Sequence, residues 1–142
     1  MRTLFPFFAG TVEETAGTAL PLYTDVEMDY EAGVPRFSGG QPVVVSGLEA
    51  VKSWAWRALQ TERYRWSVFS WDYGCELRAL VGQPYTADTK LSEAERYVRD
   101  ALTVSPYITS AAVREARFEG SALTLLAEIE TIYGGVSLYV RE

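Results

Sequence analysis

Three carboxylates, Glu62, Asp72 and Glu76, fall close together inside a stretch, residues 46–82, that holds all four tryptophans of the chain. Two carboxyl groups facing each other across a sugar bond, one kept protonated by an apolar setting, can hydrolyse a glycoside. Sequence gives no distance between these three, and the simpler reading of Glu62 is an ion pair with its neighbour Arg63 that orients the chain where it enters a strand. Other nucleophile and base arrangements lack their parts, because there is no histidine and Cys75 is the only cysteine. Cys75 reads as a small buried hydrophobe that can form no internal disulfide. The usual zinc and transition-metal sites are excluded with it; a carboxylate-only magnesium or calcium site stays open, but no spaced acidic loop of the calcium-binding kind occurs. No cofactor is expected.

The elements that must position these residues are legible in the same stretch. Ser46 followed by Glu49 predicts a capping box and a helix start. An amphipathic helix of about thirteen residues should follow, with Leu48, Val51, Trp54, Ala55, Ala58 and Leu59 on its buried stripe and Glu49, Lys52, Ser53 and Arg57 facing away. From residue 63 to 68 the period changes to two, with Tyr64, Trp66 and Val68 on one face of a half-buried strand and Phe69 at a bulge. In Trp71-Asp72-Tyr73-Gly74, Asp72 is expected to cap a short helix over residues 75–81 that Gly82 stops. Gly74 supplies a positive φ or a close backbone approach, and the two rings pack on the preceding helix. An exposed aromatic recognition loop is the competing reading. So much aromatic area in one segment predicts that it forms the centre of the core.

Around this stretch the chain reads as one α+β domain over residues 1–142, with residues 1–24 as an N-terminal arm whose Phe5, Pro6, Phe7 and Phe8 dock on the domain or on a neighbour. Residues 25–31 alternate cleanly as a strand, and short apolar runs around Phe37 and Val43 to Val45 complete a small antiparallel flap. A longer helix is expected from about residue 89 to 104, with a capping box at Ser92 and Glu95, an earlier start remaining open, and a stop at Pro106. Residues 113–118, 122–132 and 136–140 then form a three-stranded meander, with Leu123, Leu125, Ala127, Ile129 and Thr131 on one face. The architecture is thus two main helices and one short helix against an antiparallel or mixed sheet.

The net charge is −6, and residues 1–34 hold six acids against one base while the remainder is nearly balanced. A basic face that tracks phosphates is absent, so nucleic acid is not an expected partner. Residues 4–9 are too short an apolar run for a signal peptide and no stretch is long enough to span a bilayer, which predicts a chain made and kept in a cytoplasm, without a membrane partner.

A set of motifs carries a resemblance. Gly47-Leu48-Glu49-Ala50-Val51-Lys52, Thr61-Glu62-Arg63-Tyr64-Arg65, Ser70-Trp71-Asp72-Tyr73-Gly74 and Glu76-Leu77, in that order and spacing, closely resemble the XkdS-type baseplate proteins of the lysozyme-like baseplate wedge family, found in contractile phage tails and phage-derived bacteriocins. Glu27-Met28-Asp29-Tyr30 with Gly33-Val34-Pro35, Gln41-Pro42-Val43-Val44-Val45, Ser105-Pro106-Tyr107-Ile108-Thr109-Ser110 and Thr131-Ile132-Tyr133-Gly134 are similar to the family's other landmarks. The likeness therefore covers nearly all of the chain after about residue 26.

The resemblance implies a structural wedge protein that joins the tube or hub to the wedges and initiates the sheath. Its partners would be other wedge proteins, the tail sheath subunit and tube or hub proteins, in six copies set by tail symmetry, within a particle assembled in the bacterial cytoplasm. Ser105, Pro106 and Tyr107 stand where the wider family carries a Glu-Pro-Arg loop that contacts other wedge subunits. Both flanking charges are replaced here, so a contact would run through Tyr107 and backbone groups. The family's sheet accepts strands from sheath termini, which implies the same for the edge that holds Val136, Leu138 and Val140. The lysozyme-like name also raises the alternative of a cell-wall glycosidase using Glu62, Asp72 or Glu76.

Overall fold

The computed structural model describes residues 20–63, 73–81, 83–119 and 122–141. The expected aromatic arm at Phe5 to Phe8, the strand and bulge over residues 64–69, the cap at Asp72 with the adjacent Trp71, and the stop at Gly82 lie outside them.

Among the described residues six short strands precede the first helix: β1 (Thr24–Val26), β2 (Met28–Asp29), β3 (Val34–Pro35), β4 (Phe37–Ser38), β5 (Gln41–Pro42) and β6 (Val44–Ser46). They pair antiparallel as β1 with β6, β2 with β3 and β4 with β5. The strand expected over residues 25–31 is broken at Glu27. There the backbone changes partner: the Glu27 N–H bonds to the Val43 carbonyl at 2.8 Å, and its own carbonyl accepts from Arg36 at 2.9 Å. An alternating pattern gives the face a residue takes, not where its ladder partner switches.

Helix α1 (Leu48–Gln60) has the expected length, but its entrance differs. Gly47 is the N-cap, at φ +71°, and no side chain caps it. Ser46 is the end of β6, in register with Thr24, so the Ser46–Glu49 capping box does not form. Ser53, expected to face away, is fully buried, and its hydroxyl donates to the Val26 carbonyl at 2.6 Å. That bond ties β1 to the helix and satisfies a polar group inside the core.

After α1 comes a single 3-10 turn, Leu77–Leu80, shorter than the helix expected over residues 75–81, with Glu76 as its uncapped N-cap. Helix α2 (Ala87–Leu102) starts at Thr86, whose hydroxyl accepts the Thr89 N–H at 3.2 Å, and not at Ser92. Ala94, Val98, Ala101 and Leu102 form its buried stripe, while Leu91 is exposed. The helix closes at Leu102, ahead of Pro106, with the Thr103 N–H bonded to the Arg99 carbonyl.

Strands β7 (Ile108–Glu119), β8 (Ala122–Thr131) and β9 (Gly134–Arg141) form an antiparallel meander in the order β7-β8-β9. On β8 the residues Leu123, Leu125, Ala127, Ile129 and Thr131 are all buried, as their spacing requires. β7 begins five residues earlier than expected, because Ile108 already pairs with Thr131. Two register shifts, between Ile108 and Ser110 and between Val113 and Glu115, break its period and hide it from an alternation count.

The helices cover one face of this meander, which gives the α+β class. The centre of the core is aliphatic: Leu59, Leu77, Leu80, Leu102, Leu123, Leu125 and Ile129 are its largest fully buried side chains. Trp54, Trp56, Tyr73 and Tyr97 are only partly buried and pack around that cluster. The stretch over residues 46–82 therefore supplies the centre of the core through Leu59, Leu77 and Leu80, while its described rings, Trp54, Trp56 and Tyr73, lie at the rim, a place that suits large rings with a polar atom to keep wet.

Candidate functional site

The carboxylates near the end of α1 are held by arginines. Glu62 and Cys75 form an isolated parallel bridge, in which the Arg63 N–H bonds to the Cys75 carbonyl at 3.1 Å and the Cys75 N–H bonds to the Thr61 carbonyl at 2.8 Å. The Glu62 carboxylate lies 3.2 Å from Arg78 Nε, and Arg63 lies 3.6 Å from Glu76. Glu62 thus pairs across the bridge with Arg78. The two crossed pairs join the end of α1 to the 3-10 turn, and each is partly exposed, where such pairs contribute about 0–1 kcal/mol. Gly74 sits against this bridge at φ +104°, where an added Cβ would lie 3.0 Å from the Arg63 Cα and N and from the Thr61 carbonyl oxygen. Tyr73 meets Trp54 edge-on at 6.2 Å.

The loop at Ser105, Pro106 and Tyr107 is organised by a three-tyrosine cluster that sequence spacing does not reveal. The Tyr107 ring lies 4.9 Å from Tyr23 and stacks on Tyr133 at 6.2 Å. Its hydroxyl donates to the Pro21 carbonyl at 2.7 Å, the Tyr23 N–H donates to the Tyr133 hydroxyl at 3.0 Å, and Ser105 Oγ accepts the Tyr107 N–H. Tyr107 is therefore half-buried and engaged within the chain, and the residues the loop turns outward are Thr103, Val104 and Pro106. Tyr23 extends the cluster: its hydroxyl donates to Asp25, which also pairs with Arg57. Burial, with the Asp25 charge second, raises the Tyr23 pKa to about 12.

The two edges of the meander are unlike. On β7 the edge is kinked by its two bulges, and the Val113 N–H is taken by the Glu95 carboxylate of α2 at 3.3 Å. β9 instead keeps an unbroken register with β8 from Gly134 to Arg141, and no described strand pairs with its other side. Leu138 and Val140 are 3% and 1% exposed and point into the core, with Val136 half-buried on the same face. What β9 turns outward are Ser137, Tyr139 and Arg141, together with one row of backbone groups.

A groove of about 920 Å³ runs beside β9. It is lined by the strand from Ser137 to Arg141 with Thr124 of β8, and by Tyr30, Glu31, Gly33 and the α1 residues Lys52, Trp56 and Gln60. Lys52 Nζ sits 4.8 Å above the Tyr30 ring, and Tyr30 meets Trp56 edge-on at 5.8 Å. Neither the groove nor its lysine was visible as a site in the sequence, where Lys52 read as a solvated helix position.

The described residues thus form a small α+β domain whose meander has one bulged edge and one regular edge. Residues 24–134 match the model of the contractile injection system sheath initiator family, and the chain belongs to that family. Among curated proteins it is similar to phage-like element PBSX protein XkdS of Bacillus subtilis (strain 168), with 31% identity over 96 residues, 67% of this chain and 68% of XkdS. The XkdS-type likeness carried by the motifs thus holds, and it places the chain among the structural proteins of contractile tails and their baseplates.

Proposed function

We propose that this protein is a structural baseplate component that connects the tube or hub to the wedge proteins of a contractile tail and starts its sheath by accepting a strand of the sheath subunit at the outer edge of β9. The observation that carries this reading is the contrast between the two edges: β7 is bulged and capped by Glu95, whereas β9 is regular and open among the described residues. An added strand completes the hydrogen bonds of that row and copies its register. Val136, Leu138 and Val140 take part through their backbone and by flooring the core side, while Ser137, Tyr139 and Arg141 meet the partner's outward side chains. The loop at Ser105, Pro106 and Tyr107 contacts a neighbouring wedge protein through Pro106 and backbone groups, with Tyr107 holding the loop in shape. The baseplate of a phage or phage-tail-like particle is the site of action, six copies follow from tail symmetry, and assembly takes place in the bacterial cytoplasm.

Deletion of the chain from the producing genome, followed by electron microscopy of induced lysates, tests the proposal. The expected result is baseplates without attached sheath, or free sheath polymer. Complete contractile particles that have lost only wall penetration would overturn it and redirect attention to Glu62, Asp72 and Glu76 as glycosidase carboxylates.

A further inference from the structure

The open edge of β9 faces a wall with its own chemistry. Lys52, Trp56 and Gln60 recur every four residues, so they stand in a row along one side of α1, and all three line the groove opposite Ser137 to Arg141. Eight residues of helix rise about 12 Å, and five residues of strand span about 17 Å, so the row runs beside most of that stretch of β9. A strand added there has two kinds of position. Residues opposite Leu138 and Val140 turn towards the helices and meet the space bounded by Trp56 and Tyr30; residues opposite Tyr139 and Arg141 turn to the outer face of the sheet.

The charges in the groove are Lys52 and Arg141 against Glu31. Among the described residues neither Lys52 nor Arg141 forms an ion pair with a carboxylate, and Lys52 rests on the face of Tyr30. On a chain of net charge −6, the lining thus carries two basic groups against one acid. From Gly134 to Arg141 the strand itself carries no acid, so the β9 of a second copy lacks the charge that would complement it.

We infer that α1 selects the strand bound at β9, and that the occupant is an extended segment of the sheath subunit that alternates apolar with polar residues and carries a carboxylate for Lys52 or Arg141 and a bulky apolar side chain for Trp56. The inference rests on the sheath-initiator reading proposed above. It adds that partner choice is made by helix side chains across the groove as well as by the backbone of the edge.

The test uses the full chain and the purified sheath subunit of the same particle, with binding measured at low and high salt. Lys52→Glu combined with Arg141→Glu is expected to lower affinity by about tenfold or more at low salt and to flatten the salt dependence. Trp56→Ala is expected to weaken binding at all salt concentrations. Lys52→Met, which keeps the stem and removes the charge, should reproduce part of the salt effect, and unchanged thermal unfolding of the two Lys52 variants separates loss of binding from loss of fold. Wild-type binding that all of these variants retain, with the same salt dependence, overturns the inference and leaves the sheath-initiator reading standing. Failure of the wild-type chain to bind the sheath subunit overturns both.

Discussion

Gly74→Ala measures how tightly the bridge at the end of α1 is built. At φ +104° a residue with a Cβ is strained, at a cost of about 1–3 kcal/mol. The added Cβ would also lie 3.0 Å from three backbone atoms, the Arg63 Cα and N and the Thr61 oxygen, none of which can rotate aside as a side chain could. Overpacking of that kind adds about 1–3 kcal/mol. Gly134 supplies the matched control, because its φ is +123° and an added Cβ there meets nothing within 4 Å. Gly134→Ala should therefore show the first cost alone, and Gly74→Ala should exceed it by about 1–3 kcal/mol. In equilibrium urea unfolding followed by tryptophan fluorescence, a slope of about 1–3 kcal/mol/M turns that excess into a further fall of roughly 1 M in the midpoint. Equal midpoint shifts for the two variants would refute the close approach as the reason for glycine at position 74.

Ser53→Ala removes the hydroxyl bonded to Val26 and should cost about 1–2 kcal/mol, with faster amide exchange in β1 and β6 than in β8 as the local readout. Tyr107→Phe keeps the ring stack and loses only the bond to the Pro21 carbonyl, so a loss of about 0.5–1.5 kcal/mol is expected by urea unfolding, with chemical-shift changes confined to the contacts of Tyr23 and Tyr133. Tyr23 and Tyr30 both have pKa values raised from 10.0 to about 12, chiefly by burial. Because the fold favours their protonated forms, the stability they contribute is complete below pH 10 and is lost as pH rises towards 12. Thermal unfolding followed between those values should show the decline, and Tyr23→Phe should reduce it.

Where a single period governed an element, sequence gave its place and its face. Val51, Ala55, Ala58 and Leu59 on the α1 stripe and the inward set Leu123, Leu125, Ala127, Ile129 and Thr131 are of this kind, since burial on one face leaves no other arrangement of those residues. What stayed hidden depends on distant partners. Ser53 reads as a solvated position unless the carbonyl of Val26 is known to wait for it. Ser46 reads as a cap unless its pairing with Thr24 is known. The start of β7 is masked by register shifts that break its alternation, and Tyr23, Tyr107 and Tyr133 meet although they lie far apart in the chain. The same holds for function. The motifs pointed to the family, while the groove beside β9 is made by residues from the flap, a helix and two strands, and no local pattern contains it.

The unequal edges of the meander also bear on polarity. A sheet with two free sides is a link: it can join copies indefinitely, and in solution it tends to do so. Among the described residues Glu95 and the two bulges occupy one side, so that on the proposed reading a row of strands extends from this protein in a single direction. A piece of that kind begins a lattice and does not sit in its middle, which on the proposed reading suits a component required at one end of a long polymer and nowhere along it.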